Sequence, residues 1–251
     1  MADKKRPPRF DLKSTTGKSG RLVQIGGTAV VVIFAVAVVG YIVMSHRDKT
    51  TGSGDTVRVA SSNVVNQPGT NNPKAVVSFY EDFLCPACGN FERTFGPAVS
   101  KLIDIGAIAA DYSMVSILDS AKNQNYSSRA GAAALCVADE SKDAFRVFRN
   151  HLFADGVQPD ERGTSFADNA KLIEIARESG ASGKVPDCVN SGKYVDKVTA
   201  EAAAVKINAT PTIKINGENY EPSTPDALVA KIKSIVGDVP GIDTVVAPPA
   251  A

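Results

Sequence analysis

Ala75-Val-Val-Ser-Phe-Tyr-Glu-Asp-Phe-Leu-Cys-Pro-Ala-Cys88 joins a β-branched and aromatic run to two cysteines separated by two residues. Ala75 to Asp82 reads as a buried strand. Pro86 to Ile105 reads as a helix, with proline in its first turn and Gly106 ending it. The cysteines stand at the junction, close enough to bond to each other. Cys85 occupies the place where free N–H groups and the helix dipole favour an anion, which predicts a lowered thiol pKa and an attacking thiolate. Cys88, one turn further in, is expected to be covered and to act as the resolving thiol, with Pro86 and Ala87 completing the active loop. Cys-x-x-Cys is also half of a zinc site. Cys136 and Cys188 are solitary, however, and His46 and His151 show no partner spacing, so redox chemistry is expected and a metal is not.

Outward from this junction, Ala107 to Ile117 returns to strand, and Val57 to Ala60 reads as a short strand before it. Helical stripes follow at Phe145, Phe148 and Leu152, at Phe166, Ala170, Ile173 and Ala176, and at Val195, Val198, Ala202 and Val205. Thr212 to Ile215, Asn216-Gly217 and Glu218 to Glu221 predict a hairpin with a type I′ turn. Leu228, Ile232 and Ile235 mark a last amphipathic helix. The fold class is α/β: strand, helix, strand, several helices over about 120–206, hairpin, helix. Gly237 to Ala251, with Pro240, Pro248 and Pro249, reads as a flexible tail.

The 251 residues carry 28 basic and 27 acidic side chains, an even balance that hides an uneven distribution. Residues 1–21 hold seven basic residues against two acidic ones. Residues 22–44 carry no charge, and as a helix at about 1.5 Å per residue they span roughly 34 Å, enough for a hydrocarbon core of roughly 30 Å. The basic excess before the run predicts a cytoplasmic N-terminus, which places the rest outside the cytoplasm in a single-pass, membrane-anchored protein. A cleaved signal peptide is the competing reading; the length of the run and the position of its only Ala-x-Ala, Ala35 to Ala37, favour an uncleaved anchor. Residues 45–55 are a linker by composition. Beside a membrane segment the basic tail serves as the orientation signal, and no nucleic-acid partner is expected.

Thr210-Pro211 precedes the hairpin. Taken with the strand, Cys-Pro-Ala-Cys, the helices and the closing hairpin and helix, it resembles the thioredoxin fold with an inserted helical subdomain. Over residues 56–236 the chain is similar to membrane-tethered DsbA-like thiol–disulfide oxidoreductases, most of all actinobacterial ones. The likeness rests on the run from Asn72 to Cys88, the helical insertion and Thr210-Pro211. It implies a redox-active disulfide and no other cofactor. It also implies that Thr210-Pro211 is a cis-proline loop pairing with substrate backbone, that the substrates are reduced or unfolded exported proteins, and that a VKOR-like or DsbB-like membrane partner re-oxidises the protein.

There are departures. Ala87 stands where enterobacterial DsbA has histidine, which implies a less extreme oxidant. Phe79 stands where the family carries a buried acid. Asp82 or Glu81 is then the candidate proton shuttle, the alternative being two solvated strand-end carboxylates. Once Cys85 and Cys88 are paired, Cys136 and Cys188 remain. A bridge between them suits an extracytoplasmic domain, whereas two buried free thiols would suit cytoplasm. Gly180-Ala-Ser-Gly-Lys184 lacks the hydroxyl residue of a phosphate loop, Val185 taking its place. Phe83, Leu84, Phe91 and Phe95 read as core, with one or two of them candidates for an apolar substrate surface. The rival functions are a reductase or isomerase on the same scaffold and a tethered binding or chaperone module.

Overall fold

Strand β2 (Val76–Glu81) is the central strand of a five-stranded sheet in a computed structural model that describes residues 56–246. The expected basic tail, membrane span and linker at 1–55 lie outside the described residues. Among the described residues no helix is long and apolar enough to cross a membrane.

The sheet order is β1-β3-β2-β4-β5, with β1 at Val57–Ala60, β3 at Ala109–Met114, β4 at Thr212–Ile215 and β5 at Glu218–Asn219. β2 runs parallel to β3, and the other pairings are antiparallel. Alternate residues of β2 face the core, so Val77, Phe79 and Glu81 share one buried face. Phe79 stacks on Tyr112 of β3 at 5.0 Å, and burying such a ring contributes about 1.5–3 kcal/mol. The turn between β4 and β5 has positive φ at both Asn216 and Gly217, as a type I′ hairpin requires.

Helix α1 (Pro86–Asp104) connects β2 to β3, which is why that pair is parallel. Between β3 and β4 lie α2 (Tyr126–Glu140), α3 (Lys142–Leu152), α4 (Asn169–Glu178), α5 (Val185–Asn190) and α6 (Val195–Ala204). α2 is buried on nearly every side because α3, α4, α5 and α6 all pack on it, and its alanines and Gly131 allow that approach. A Cβ on Gly131 would meet Val198 Cγ1 at 2.8 Å.

The stripes read from sequence overran two helices. Phe166 precedes α4, because the Asp168 side chain caps Lys171 N at 2.9 Å and starts the helix there. Val205 follows α6, which ends before the positive φ of Lys206. The short α5 carried no readable stripe.

Helix α7 (Pro225–Val236) packs against α1. The loose tail expected from Gly237 is instead packed as far as Val246. Ile242 is 1% exposed, Val239 and Val245 are buried, and Lys233 pairs with Asp243 at 2.7 Å. Three apolar residues spaced three apart outweigh the proline that suggested disorder. The Gly180–Lys184 string also has a structural use: the Glu140 carboxylate accepts from the N–H groups of Ser182, Gly183 and Lys184 at 3.0–3.1 Å. The nest that a phosphate would need is filled from within the chain.

Candidate active site

β2 ends at Glu81, and the chain turns tightly into α1, with Cys85 N–H donating to Asp82 O at 3.0 Å. Cys85 is the N-cap residue of α1, extended at φ −71° and ψ 117°, and Pro86 opens the helix without a donor to lose. Both cysteines are free thiols; Cys85 is 7% exposed and Cys88 is fully buried.

Their environments push the two thiols apart. Cys85 is lowered to about 5, first by the hydrogen bond from the Cys88 thiol; burial opposes this, and Thr210 and the N–H groups of Cys88 and Ala87 support it. Burial drives the Cys88 thiol far up, and its bond to Cys85 pushes the same way. The helix N–H groups predicted to make the thiolate do contribute, but the partner thiol contributes more.

The antiparallel register pairs Tyr80 of β2 with Thr212 of β4, which brings the preceding residues of β4 level with the end of β2. The Thr210–Pro211 peptide is cis, and Cys85 Sγ lies 3.4 Å from Thr210 O. Residues 125 positions apart in sequence thereby share one site.

Glu81 and Asp82 are both fully buried, so neither is a solvated strand-end carboxylate. Burial raises Asp82 to about 6; the Ser127 hydroxyl and the N–H groups of Leu118 and Leu84 act in the opposite direction. Asp82 accepts from Leu84 N at 2.9 Å and Leu118 N at 3.0 Å. Glu81 instead pairs with Arg149 of α3 in a fork, Nε to Oε2 at 2.8 Å and Nη2 to Oε1 at 2.7 Å. Glu92 of α1 takes the same Nη2 at 2.7 Å, and the guanidinium lies 4.5 Å from the centre of the Tyr112 ring. Burial raises Glu81 against the pull of Arg149, and the two acids hold Arg149 protonated. A buried acid thus stands at Glu81, two residues after Phe79 on the same face of β2.

Phe83, Leu84, Phe91 and Phe95 are all buried, so none of them offers an apolar surface to a substrate. Cys136 of α2 and Cys188 of α5 are bonded, with their Cα atoms 5.9 Å apart. Among the described residues no group of three or more His, Cys, Asp or Glu side chains is placed to hold a metal ion.

Residues 66–234 match the family model described as Thioredoxin. A disulfide bond oxidoreductase (DsbG) from Mycobacterium tuberculosis, in its reduced form, is 70% identical with a TM-score of 0.77, the match covering 79% of this chain and 95% of that one. The chain belongs to the thioredoxin family, as a DsbA-like protein disulfide oxidoreductase. Reduced DsbA from Mycobacterium tuberculosis is likewise 70% identical, with a TM-score of 0.75 and coverage of 76% and 98%. A thiol-disulfide oxidoreductase from Corynebacterium diphtheriae, MdbA, shares the fold at 20% identity, with a TM-score of 0.56 and coverage of 74% and 97%. A curated relative, serine/threonine-protein kinase PknE of Mycobacterium tuberculosis, is 28% identical over 144 residues, 57% of this chain. The chain spans 25% of the length of that relative.

Sequence reading missed three residues of this oxidoreductase's site. Arg149 carried a signal: it falls four residues after Phe145 on the apolar stripe of α3, where a lone charge calls for a buried partner. Glu92 lies one turn after Cys88 on α1. Gln158, in the loop after α3 and donating from Nε2 to Cys85 O at 3.0 Å, carried none.

Proposed function

We propose that the protein donates disulfides to exported proteins on the outer side of the cytoplasmic membrane, anchored there by residues 22–44. The asymmetry of the two thiols carries this reading. Lowering the Cys85 thiol pKa to about 5 stabilises the reduced pair, and so makes the oxidised pair a stronger oxidant. A substrate thiolate attacks Cys85 Sγ, the Cys85–Cys88 bond breaks, and Cys88 leaves and takes up a proton. A second substrate thiolate then attacks the substrate sulfur of the mixed disulfide. Cys85 departs as a thiolate, and its low pKa makes it a good leaving group. The substrate loses two electrons, and the cysteine pair gains them.

Re-oxidation runs the other way, against the disulfide of a VKOR-like or DsbB-like membrane partner. Cys85 is the nucleophile, and Cys88 resolves the mixed disulfide after giving up its proton. Asp82, raised to about 6, holds the pKa of a base at working pH, while Glu81 is engaged by Arg149. Thr210 and Pro211 border Cys85 where a substrate backbone would lie. The Cys136–Cys188 bridge supports an oxidising compartment.

Equilibration with glutathione buffers tests the direction. A potential of roughly −120 to −200 mV is expected of an oxidase, and a value near roughly −270 mV would assign a reductase instead. Recovery of the mature chain in the soluble fraction, rather than in carbonate-washed membranes, would overturn the anchor.

A further inference from the structure

The loop that follows α3 reaches the active turn through one side chain. Gln158 Nε2 donates to the carbonyl oxygen of Phe83 at 3.2 Å and to that of Cys85 at 3.0 Å. The Cys85 carbonyl also accepts from Gly89 N at 3.2 Å, the first main-chain bond of α1. One amide therefore grips the turn on both sides of Leu84. Its own orientation is fixed by Arg93, whose Nη1 donates to Gln158 Oε1 at 3.3 Å and to Phe153 O at 2.7 Å. Arg93 also pairs with Asp155 at 3.0 Å. The space the amide occupies is the side-chain space of Gly89. A Cβ built there would stand 1.9 Å from Gln158 Oε1 and 2.7 Å from Arg93 Nη1. Glycine inside a helix costs about 1 kcal/mol relative to alanine, so its presence on this turn has a local cause.

We propose that Gln158 is a positioning residue that locks the strand-to-helix turn and so aims Cys85 Sγ at the N–H groups opening α1, with Gly89 kept small to admit it. The effect passes through the backbone. Without the amide, Phe83 O loses its partner, and the Cys85 carbonyl keeps only the bond from Gly89. The turn can then relax, and the sulfur drifts from the donors that favour its thiolate. The polar and charged groups around Cys85, namely Cys88, Asp82, Glu81 and Thr210, are chemically unchanged by the removal of Gln158. The inference rests on the reading of Cys85 as the attacking thiol.

The experiment uses the full chain with Gln158→Ala, Gly89→Ala and the double variant. Thiolate absorbance is followed against pH, the thiol–disulfide equilibrium is measured against glutathione, and thermal unfolding is recorded. Gln158→Ala is expected to move the Cys85 titration upward and to weaken the oxidising equilibrium about tenfold, equivalent to about 30 mV for two electrons. Gly89→Ala should reproduce most of that shift by displacing the amide, and should add nothing once Gln158 is alanine. The proposal is overturned by an unchanged titration and equilibrium in folded Gln158→Ala, or by shifts that add in the double variant. A change in melting temperature alone would also overturn it, since that is what a merely structural contact gives. If Gln158→Ala does not fold, Gly89→Ala decides by the same titration. The unsubstituted protein separates this inference from the reading beneath it: a Cys85 titration in the ordinary thiol range would remove the attacking-thiol role itself.

Discussion

Cys85 and Cys88 sit three residues apart on one helical turn, whereas Cys136 and Cys188 meet across 52 positions with their Cα atoms 5.9 Å apart. The first pair lies where β2 ends and α1 begins, among N–H groups, the Thr210 carbonyl and two buried carboxylates. The second ties α2 to α5 and borders a cavity that Asp139, Glu140, Lys184 and Lys193 also line. Thiol chemistry is the same in both places, and the surroundings assign different work. Closing the short loop between Cys85 and Cys88 would constrain the unfolded chain little. Closing a long loop removes much unfolded-state entropy, so the second pair staples the helical insertion.

The sharpest break of this comparison is to exchange the consequences. Cys85→Ser is expected to cut oxidation of a reduced protein substrate by roughly a thousandfold while the fold and the Cys136–Cys188 bridge survive. Replacing Cys136 and Cys188 with alanine is expected to cost about 4 kcal/mol in denaturant unfolding and to leave turnover within about threefold. If the second pair proved to govern turnover, the division of labour proposed here would fail.

Arg149→Met comes next. It leaves Glu81 and Glu92 buried without their cation, and a loss of about 3–5 kcal/mol is expected in the same unfolding measurement. Asp82→Asn is expected to slow resolution of a trapped mixed disulfide about tenfold and to remove the rise in that rate through about pH 6. A rate and pH profile equal to those of the parent would remove Asp82 as the shuttle.

The smallest effect is on pH-dependent stability. The folded thiol of Cys85 is depressed to about 5, so its contribution to the reduced form is full above the unfolded thiol pKa and is lost as pH falls through about 5. The stability advantage of the reduced over the oxidised protein should therefore shrink between pH 8 and pH 4, as read by paired melting curves.

Much of the fold was legible because its signals are local. The run from Val76 to Glu81 alternates and is β-branched, Pro86 starts a helix, and Asn216-Gly217 makes a turn that few other pairs make. Element ends were less legible: Asp168 moved the start of α4 past Phe166, and the packing of Ile242 turned an expected tail into part of the core. In the site, Cys85 and Cys88 announced themselves by spacing. The burial of Glu81 and Asp82 did not, because a carboxylate at a strand end looks solvated until a partner arrives from elsewhere. Arg149 is that partner for Glu81, 68 positions along the chain.

From residues alone follow the α/β class and two cysteines set at a strand-to-helix junction. These rest on periodicity, spacing and the dipole of one helix end, all fixed within a turn or two of chain. Tertiary structure alone decided which acid is held by Arg149 and which is left to titrate near the thiols. It also decided that Thr210 borders Cys85 and that Gln158 grips the turn. Those depend on strand register and on a loop folding back across α1, and contacts between distant segments leave no period in a sequence.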